Sequence, residues 1–368
     1  PPLEAAAGAG RVKRLRELMA RLAIDAVLVP RADAHQGEYV PRSAERLKWL
    51  TGFSGSAGSA IVTGKAAALF VDGRYTTQAR AQVDTAIFEI RQVPLQRASD
   101  WLIGKLGAGA TVGFDPWLAT VATVEQLTET LARKGIKLRP LARNPIDALW
   151  GRGRTLSETH GPAIEPIVPH PVAQAGRAME EKIAELQQRL KDDGQDAVVL
   201  TLPDSICWLL NIRGRDVAHN PVVLSFAIVP AHGKVDLFTE HARSELRLDK
   251  QAKAHLAGRV RVHEKSALGD RLAALRSQGR KVRLDPDTAA WWIARRLGGP
   301  KRIVRAADPC IGPKARKNST ELDGARAAHK RDGVAMARFL AWLDREAVKG
   351  RVDEIEAARH LEQCRAET

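Results

Sequence analysis

The sequence has 368 residues, 44% hydrophobic and 27% charged, with a net charge of +15. That length exceeds one ordinary core and fits two or three domains of ~100–200 residues each. The composition excludes a disordered chain, and no run approaches the ~20 apolar residues that a membrane helix needs. Cys207, Cys310 and Cys364 are odd in number and far apart, which argues against a disulfide framework or a cysteine zinc site and fits a reducing compartment. Residues Pro1 to Gly10 lack the charged head and long apolar stretch of a secretory signal, so the expected location is cytoplasmic. Lysines and arginines are spread along the chain with acids between them and form no long basic arm, which reads against a nucleic-acid binder.

In chain order, the first signal is helical. Leu15, Leu18, Met19 and Leu22 share one face between Arg11 and Ala23, and Asp25 to Val29 follows as a short apolar strand. Further strands are predicted at Ala60–Thr63, Ala67–Val71, Ile87–Val93 and Thr111–Phe114. A helix is predicted from Thr120, its cap, to Lys134, with Gly135 as the stop. The same landmarks then return in the same order. Glu181 to Lys191 repeats the opening helix and Asp196 to Leu200 the opening strand. Trp49-Leu50-Thr51-Gly52-Phe53 answers to Trp208-Leu209-Leu210-Asn211-Ile212, and Val112-Gly113-Phe114-Asp115-Pro116 to Val282-Arg283-Leu284-Asp285-Pro286. Each Asp-Pro leads into tryptophan-containing sequence expected to be helical (Trp117; Trp291, Trp292), and the copies close at Asn144-Pro145 and Asp308-Pro309. The chain therefore reads as two related α/β modules. Hairpin-length turns such as Thr63-Gly64-Lys65 require part of each sheet to be antiparallel, so the sheets are mixed.

Between the copies, residues 151–176 are rich in Gly, Pro and His and read as a stiff extended connector, with His160 and His170 as linker histidines. After the second copy, Glu321 to Leu343 reads as one helix with cap residues from Asn318, and Val352 to Cys364 as another. Two helices without a partner layer read as the opening of a third domain.

Three loops could carry chemistry. Gly52 to Gly58 has neither phosphate-loop spacing nor a following helix, and reads as a tight turn into a strand. Asp33-Ala34-His35-Gln36-Gly37-Glu38-Tyr39 gathers two carboxylates and an imidazole at a strand end, without a third ligand or nucleophile nearby. Asp72-Gly73-Arg74-Tyr75 presents a permanent cation with a rigid fork of donors, suited either to a carbonyl or carboxylate of a substrate or to an ion pair with Asp72. No H-E-x-x-H or clustered Cys/His pattern is present.

These loops, Asp33 to Tyr39, Leu50 to Gly58 and Asp72 to Tyr75, resemble in order the N-terminal domain of cytosolic-type Xaa-Pro aminopeptidases (aminopeptidase P). Ile146 to Trp150 and the connector resemble that family's junction between its first two domains, and Lys314 to Trp342 the opening of its catalytic domain. The resemblance implies a creatinase-like domain over residues 1–155, a second over 156–317, and the start of a pita-bread catalytic domain over 318–368. It further implies a homodimer when full length, proline-containing peptides as substrate, and two divalent metals, manganese above all, on Asp, Asp, His, Glu and Glu of the catalytic domain. None of those ligands matches a position here, so no metal and no cleavage is expected of this chain alone. Two substrate-binding residues carry over, Arg74 and Glu38. The rival readings are a catalytically dead creatinase-like module that binds an acidic partner, and a sister hydrolase such as prolidase or creatinase. Prolidase usually has a single such domain in its front half, whereas this chain has two.

Overall fold

In the computed structural model the described residues are 2–151, 166–243, 248 and 250–368. The middle of the connector, with His160 and the expected boundary at 155/156, lies outside them. The chain divides into two compact units, residues 1–169 with 179–311 and residues 170–178 with 312–368.

The larger unit contains both modules. The first opens with helix α1 (Pro2–Arg21) and strand β1 (Ala26–Pro30), then α2 (Arg46–Thr51), β2 (Gly58–Thr63), β3 (Ala67–Val71), α3 (Thr76–Gln82) and β4 (Glu89–Gln92). It continues with α4 (Ala98–Lys105), β5 (Thr111–Phe114), α5 (Val121–Ala132), β6 (Lys137–Pro140) and α6 (Pro145–Trp150). Helix α1 begins earlier than Arg11 because alanine, the best helix former, fills its first turns and offsets the glycines. The sheet runs β4-β3-β2-β1-β5-β6, with β1–β2 and β2–β3 antiparallel and the other pairs parallel.

In the second module, β7 (Val168–Pro169) pairs with β9 (Ile212–Arg213) in a small ribbon. The main sheet is built from β8 (Ala197–Leu200), β10 (Ser225–Pro230), β11 (Val235–Thr239), β12 (Val260–Glu264), β13 (Val282–Leu284) and β14 (Val304–Arg305). Its order, β12-β11-β10-β8-β13-β14, and its mix of pairings repeat the first sheet strand for strand. The repeat read from sequence extends to backbone detail. Gly52 (φ 82°) and Asn211 (φ 48°) occupy the same left-handed position at the end of equivalent helices.

Both faces of each sheet are covered, which is why the strands lack polar alternation. Val27, Val29, Val62 and Leu69 face Leu15, Met19 and Leu50, while Ala26, Ile61, Phe70 and Val112 face Trp101, Leu102 and Leu131. One face of the second sheet packs on Ile183, Leu186 and Leu190 of the helix Met179–Asp192. Its other face, with Phe226, Ile228 and Phe238, packs on Leu268, Leu272 and Ile293, and on Val121 of the first module.

The modules meet through a reciprocal set of backbone bonds. Val121 N–H donates to the Ala289 carbonyl at 3.0 Å and Trp291 N–H to that of Ala119 at 2.9 Å; Ala122 N–H donates to Pro286 and Trp292 N–H to Pro116, both at 2.9 Å. In the register that aligns Val112–Pro116 with Val282–Pro286, each bond is the mate of another, and the bridge between Thr120 and Ala290 lies at the centre. This is the pattern of a local two-fold axis, the geometry of an isologous dimer interface, inside one chain. It also corrects one expectation: Trp117 is not helical but sits in the turn before α5, where it stacks on Trp292 at 4.0 Å.

In the smaller unit the helix Ser319–Ala347 opens with a full capping box between Asn318 and Glu321, and the Asn318 amide donates to the Ala175 carbonyl at 2.8 Å. The helix Glu354–Ala366 packs back along it through Trp342 on His360 at 3.9 Å and Arg365 on Asp332 at 2.7 Å. Among the described residues of these two helices only Ala335 and Cys364 are buried, while Leu322, Val334, Leu340 and Ile355 are exposed. The described end of the connector is more regular than its prolines imply, since Val168–Pro169 is a strand and Pro171 precedes a short helix, Val172–Ala175.

Candidate functional site

Strand pairing brings the three loops singled out above to one end of the first sheet. Pro30 at the end of β1 pairs with Ser59, and Gly58 at the start of β2 pairs with Val71 at the end of β3. The loop after β1, the turn before β2 and the loop after β3 therefore share an edge.

Arg74 stands on this edge with its side chain 68% exposed and paired to Asp72 at 2.6 Å. Asp72 also accepts the Arg74 backbone N–H at 2.9 Å, which caps a short helical turn over Gly73–Tyr75. The Asp72 hydrogen bonds, and more weakly the charges of Tyr75 and Glu38, hold the Arg74 guanidinium above its ordinary range. The same bonds hold the Asp72 carboxyl below its own. Thus the ion pair weighed in the sequence is present, and the exposed guanidinium retains donors for a further acceptor. Glu38 is exposed and within electrostatic reach of Arg74.

Arg31, not singled out from sequence, and Tyr75 tie these loops together. Arg31 Nη1 donates to the carbonyls of Glu38 and Ser56, both at 2.8 Å. The Ser56 hydroxyl meets the Tyr75 hydroxyl at 2.5 Å, and the Arg74 guanidinium lies 5.2 Å from the Tyr75 ring centre. The available signal was position: Arg31 follows β1 directly, as Arg74 follows β3 by three residues.

Asp33 and His35 turn away from this edge. Asp33 Oδ1 accepts the backbone N–H of His35 at 2.9 Å and of Gly37 at 3.1 Å, which fixes the loop as a side-chain-capped turn. Burial raises the Asp33 carboxyl against the pull of those two bonds. His35 is 4% exposed and stacks on Phe226 of the second module at 4.3 Å. Burial and the Lys265 charge lower its pKa to about 3, so it is a neutral ring at ordinary pH. His35 serves the joint between modules, whereas Glu38 and Tyr39, at the far end of the loop, are exposed.

The glycine-rich turn makes room for a side chain. A Cβ on Gly55 would lie 2.2 Å from Cζ of Phe53, which is 1% exposed. Gly55→Ala is therefore expected to destabilise the fold by about 1–3 kcal/mol through forced repacking. A urea titration against the parent chain measures this, and no shift in midpoint would mean that Phe53 swings aside freely.

Elsewhere, the buried Asp236 carboxylate accepts Arg261 at 2.7 Å, His263 at 2.8 Å and Arg271 at 2.5 Å. Burial pushes its pKa up, but those three partners outweigh it and the net direction is down. It cross-links β11, β12 and the helix Leu268–Ser277. The buried Lys182 Nζ donates to Asn211 Oδ1 at 2.5 Å. Among the described residues no group of three or more His, Cys, Asp or Glu is placed to hold a metal ion. The described residues therefore do not form a site for a metal pair. Nor is any helix among them long and apolar enough to cross a membrane.

Comparison with known proteins gives this architecture its relatives. The profile of the creatinase/prolidase N-terminal domain matches residues 11–147, and a second profile of the same description matches 160–321. The chain belongs to the creatinase/prolidase N-terminal domain family. It carries that domain twice, once in each module. Over 97% of its length it is 36% identical to a Xaa-Pro aminopeptidase P of Talaromyces marneffei and 35% identical to one of Paracoccidioides brasiliensis, covering 54% and 59% of those proteins. The X-prolyl aminopeptidase of Caenorhabditis elegans, described as a cytosolic enzyme with a di-nuclear active site, superposes on 98% of the chain with a TM-score of 0.89 at 30% identity. The chain covers 60% of that enzyme. It thus spans rather more than half the length of the relatives it matches.

Proposed function

We propose that this chain is the non-catalytic two-module portion of a metal-dependent aminopeptidase that removes the N-terminal residue from Xaa-Pro peptides. On this reading it is joined to the first helices of the peptidase domain, residues 318–368, after domains at 1–155 and 156–317. The observation that carries the reading is the edge of the first sheet. There Arg74 and Glu38, the two residues that the family resemblance marks, stand as an exposed cation and carboxylate within electrostatic reach, on loops braced by Arg31 and Tyr75. A peptide with a free amino end and polar backbone offers a matching anion-to-cation pattern: the guanidinium fork donates to peptide carbonyl oxygens and Glu38 receives the N–H groups or the ammonium. The fit to the C. elegans enzyme over nearly the whole chain supports the reading, as does that enzyme's cytosolic description for a cytoplasmic location.

The metals belong to the rest of such a protein. Two divalent ions, manganese in our reading, would there generate the attacking hydroxide and clamp developing charge. The whole protein is proposed to be a homodimer. This chain alone is expected to release no N-terminal residue from an Xaa-Pro peptide with manganese present, and measurable manganese-dependent release would overturn its assignment as non-catalytic. The positive test is a chimera in which the chain replaces the matching 60% of the C. elegans enzyme. The chimera is expected to cleave Xaa-Pro peptides, and Arg74→Ala to lower kcat/KM by about 10–100-fold, with Arg74→Lys recovering part of it. An active chimera indifferent to Arg74 would remove Arg74 from the substrate.

A further inference from the structure

Part of the net charge of +15 falls in one stretch of the second module. From Arg271 to Arg305 the sequence carries ten lysines and arginines and two acids, Asp285 and Asp287. Asp285 is withdrawn from the surface: it is buried, and its carboxylate accepts the backbone N–H groups of Asp287 at 2.9 Å and Asp308 at 2.8 Å. Five of the cations have acidic partners: Arg271 on Asp236, Arg280 on Asp196, Arg283 on Asp193, Arg296 on Asp270 and Arg305 on Glu125. The other five, Arg276, Lys281, Arg295, Lys301 and Arg302, are exposed and have no acidic partner among the described residues.

Several of these free cations share one place. Arg276 lies in the last turn of the helix Leu268–Ser277, and Arg295 in the last turn of the helix Trp291–Arg296. The two helices are fastened by Arg296 Nε on the Gly269 carbonyl at 3.3 Å. The chain then turns at Gly298 (φ 106°), whose N–H bonds the Arg295 carbonyl at 3.1 Å, and runs into Lys301 and Arg302. A Cβ placed on Gly298 would stand 3.2 Å from Arg276 Cδ and 3.3 Å from Arg302 Cγ. Two arginine stems thus flank the same glycine, with no carboxylate to neutralise either head. Like charges held side by side at a surface repel, and the repulsion falls when an anion bridges them.

We propose that this face of the second module docks an acidic polypeptide segment, extended and rich in Asp and Glu. Three of the five free cations, Arg276, Arg295 and Arg302, are arginines, whose planar forks pair carboxylates two bonds at a time. Proteins that hold single-stranded nucleic acid interleave cations with open aromatic faces for the bases. The two aromatic residues of this stretch are already occupied. Trp292 stacks on Trp117 at 4.0 Å with Arg296 at 5.4 Å, and Trp291 meets Phe114 edge-on at 5.6 Å with Arg295 at 5.7 Å. The surface is therefore built to recognise charge without bases. The inference does not depend on the peptidase reading.

Fluorescence anisotropy of the full 368-residue chain with a labelled peptide of about twenty residues, mostly Glu and Asp, tests it at ~0.05 and ~0.15 M salt. The chain is expected to bind at both, and Arg276→Glu with Arg302→Glu to weaken binding by about tenfold or more. Both residues are exposed, so an unchanged melting temperature is expected to accompany the loss. The control, Lys13→Glu with Arg14→Glu on exposed positions of α1, changes net charge equally and is expected to cost less than about threefold. An equal loss in the control would overturn the proposal in favour of bulk charge. Absence of binding at ~0.15 M salt would overturn it outright. So would a single-stranded RNA of similar length that binds about tenfold tighter than the peptide through the same two arginines.

Discussion

Phe226→Ala is expected to cost the larger unit about 3–5 kcal/mol, the range for removing a buried aromatic ring from a core that cannot collapse around the loss. Phe226 is 0% exposed and lies on β10, in the middle of the second sheet. Its ring holds residues of both modules: His35 at 4.3 Å, Trp117 at 5.8 Å, and the ammonium of Lys265 at 5.7 Å. The void would open where the modules join, so the neighbours that could fill it are fixed by the reciprocal backbone bonds around Thr120 and Ala290. Phe70→Ala is the informative comparison. Phe70 is 1% exposed, but its partner Trp101 at 6.2 Å lies within the first module. Both variants are expected to lose stability by calorimetry. Only Phe226→Ala is expected to split unfolding into two transitions, because it alone weakens the coupling between modules. A loss below ~1 kcal/mol for Phe226→Ala, or one sharp transition in both variants, would mean that the backbone bonds carry the joint alone.

That joint marks where the sequence stops being legible. The repeat was readable because burial on both faces of a sheet writes itself as short apolar runs, and β3, β5 and α5 fall within a residue or two of their predicted bounds. The Asp-Pro landmarks were visible in both copies, but not their use: Asp115 and Asp285 each turn the chain into a segment that pairs with its counterpart. Pairing between repeats leaves no period in either one, so Trp117, which follows an Asp-Pro as helix-like sequence, reads as helical. His35 shows the same limit at the candidate site. Its neighbours Asp33 and Glu38 make it look like chemistry, while its partner Phe226 is far away in sequence. Arg74 was legible down to its two alternatives, and the structure keeps both open by pairing the guanidinium with Asp72 and leaving it exposed. What composition could not give is the distribution of charge: the fold draws Asp285 inward, pairs five of the nearby cations with acids from elsewhere in the chain, and leaves Arg276 and Arg302 beside Gly298 without an acidic partner among the described residues.

Acidification is expected to loosen the chain from about pH 6.5 downward, and His35 is the reason. An unfolded histidine takes up a proton near pH 6.5. In the fold, burial and the nearby Lys265 charge hold that uptake off until about pH 3. Between those limits the unfolded state binds one more proton than the folded state, so stability is full above pH 6.5 and falls by ~1.36 kcal/mol per pH unit on the way down, about 2 kcal/mol by pH 5. The groups that face the ring act in known directions. Lys265 adds to the effect; Asp33, whose carboxyl is raised by burial, opposes it as pH falls through that raised folded range toward the unfolded carboxylate range. Asp236, held low by its three partners, contributes stability that is present above the unfolded carboxylate range and lost only below it, outside this window. His35→Gln keeps a polar side chain in the place of the ring and removes the titration. Urea midpoints at pH 7.5 and pH 5 are expected to diverge for the parent chain and to come much closer together for the variant, whatever the variant costs at pH 7.5. Equal losses in both would place the acid sensitivity elsewhere and leave His35 as packing alone.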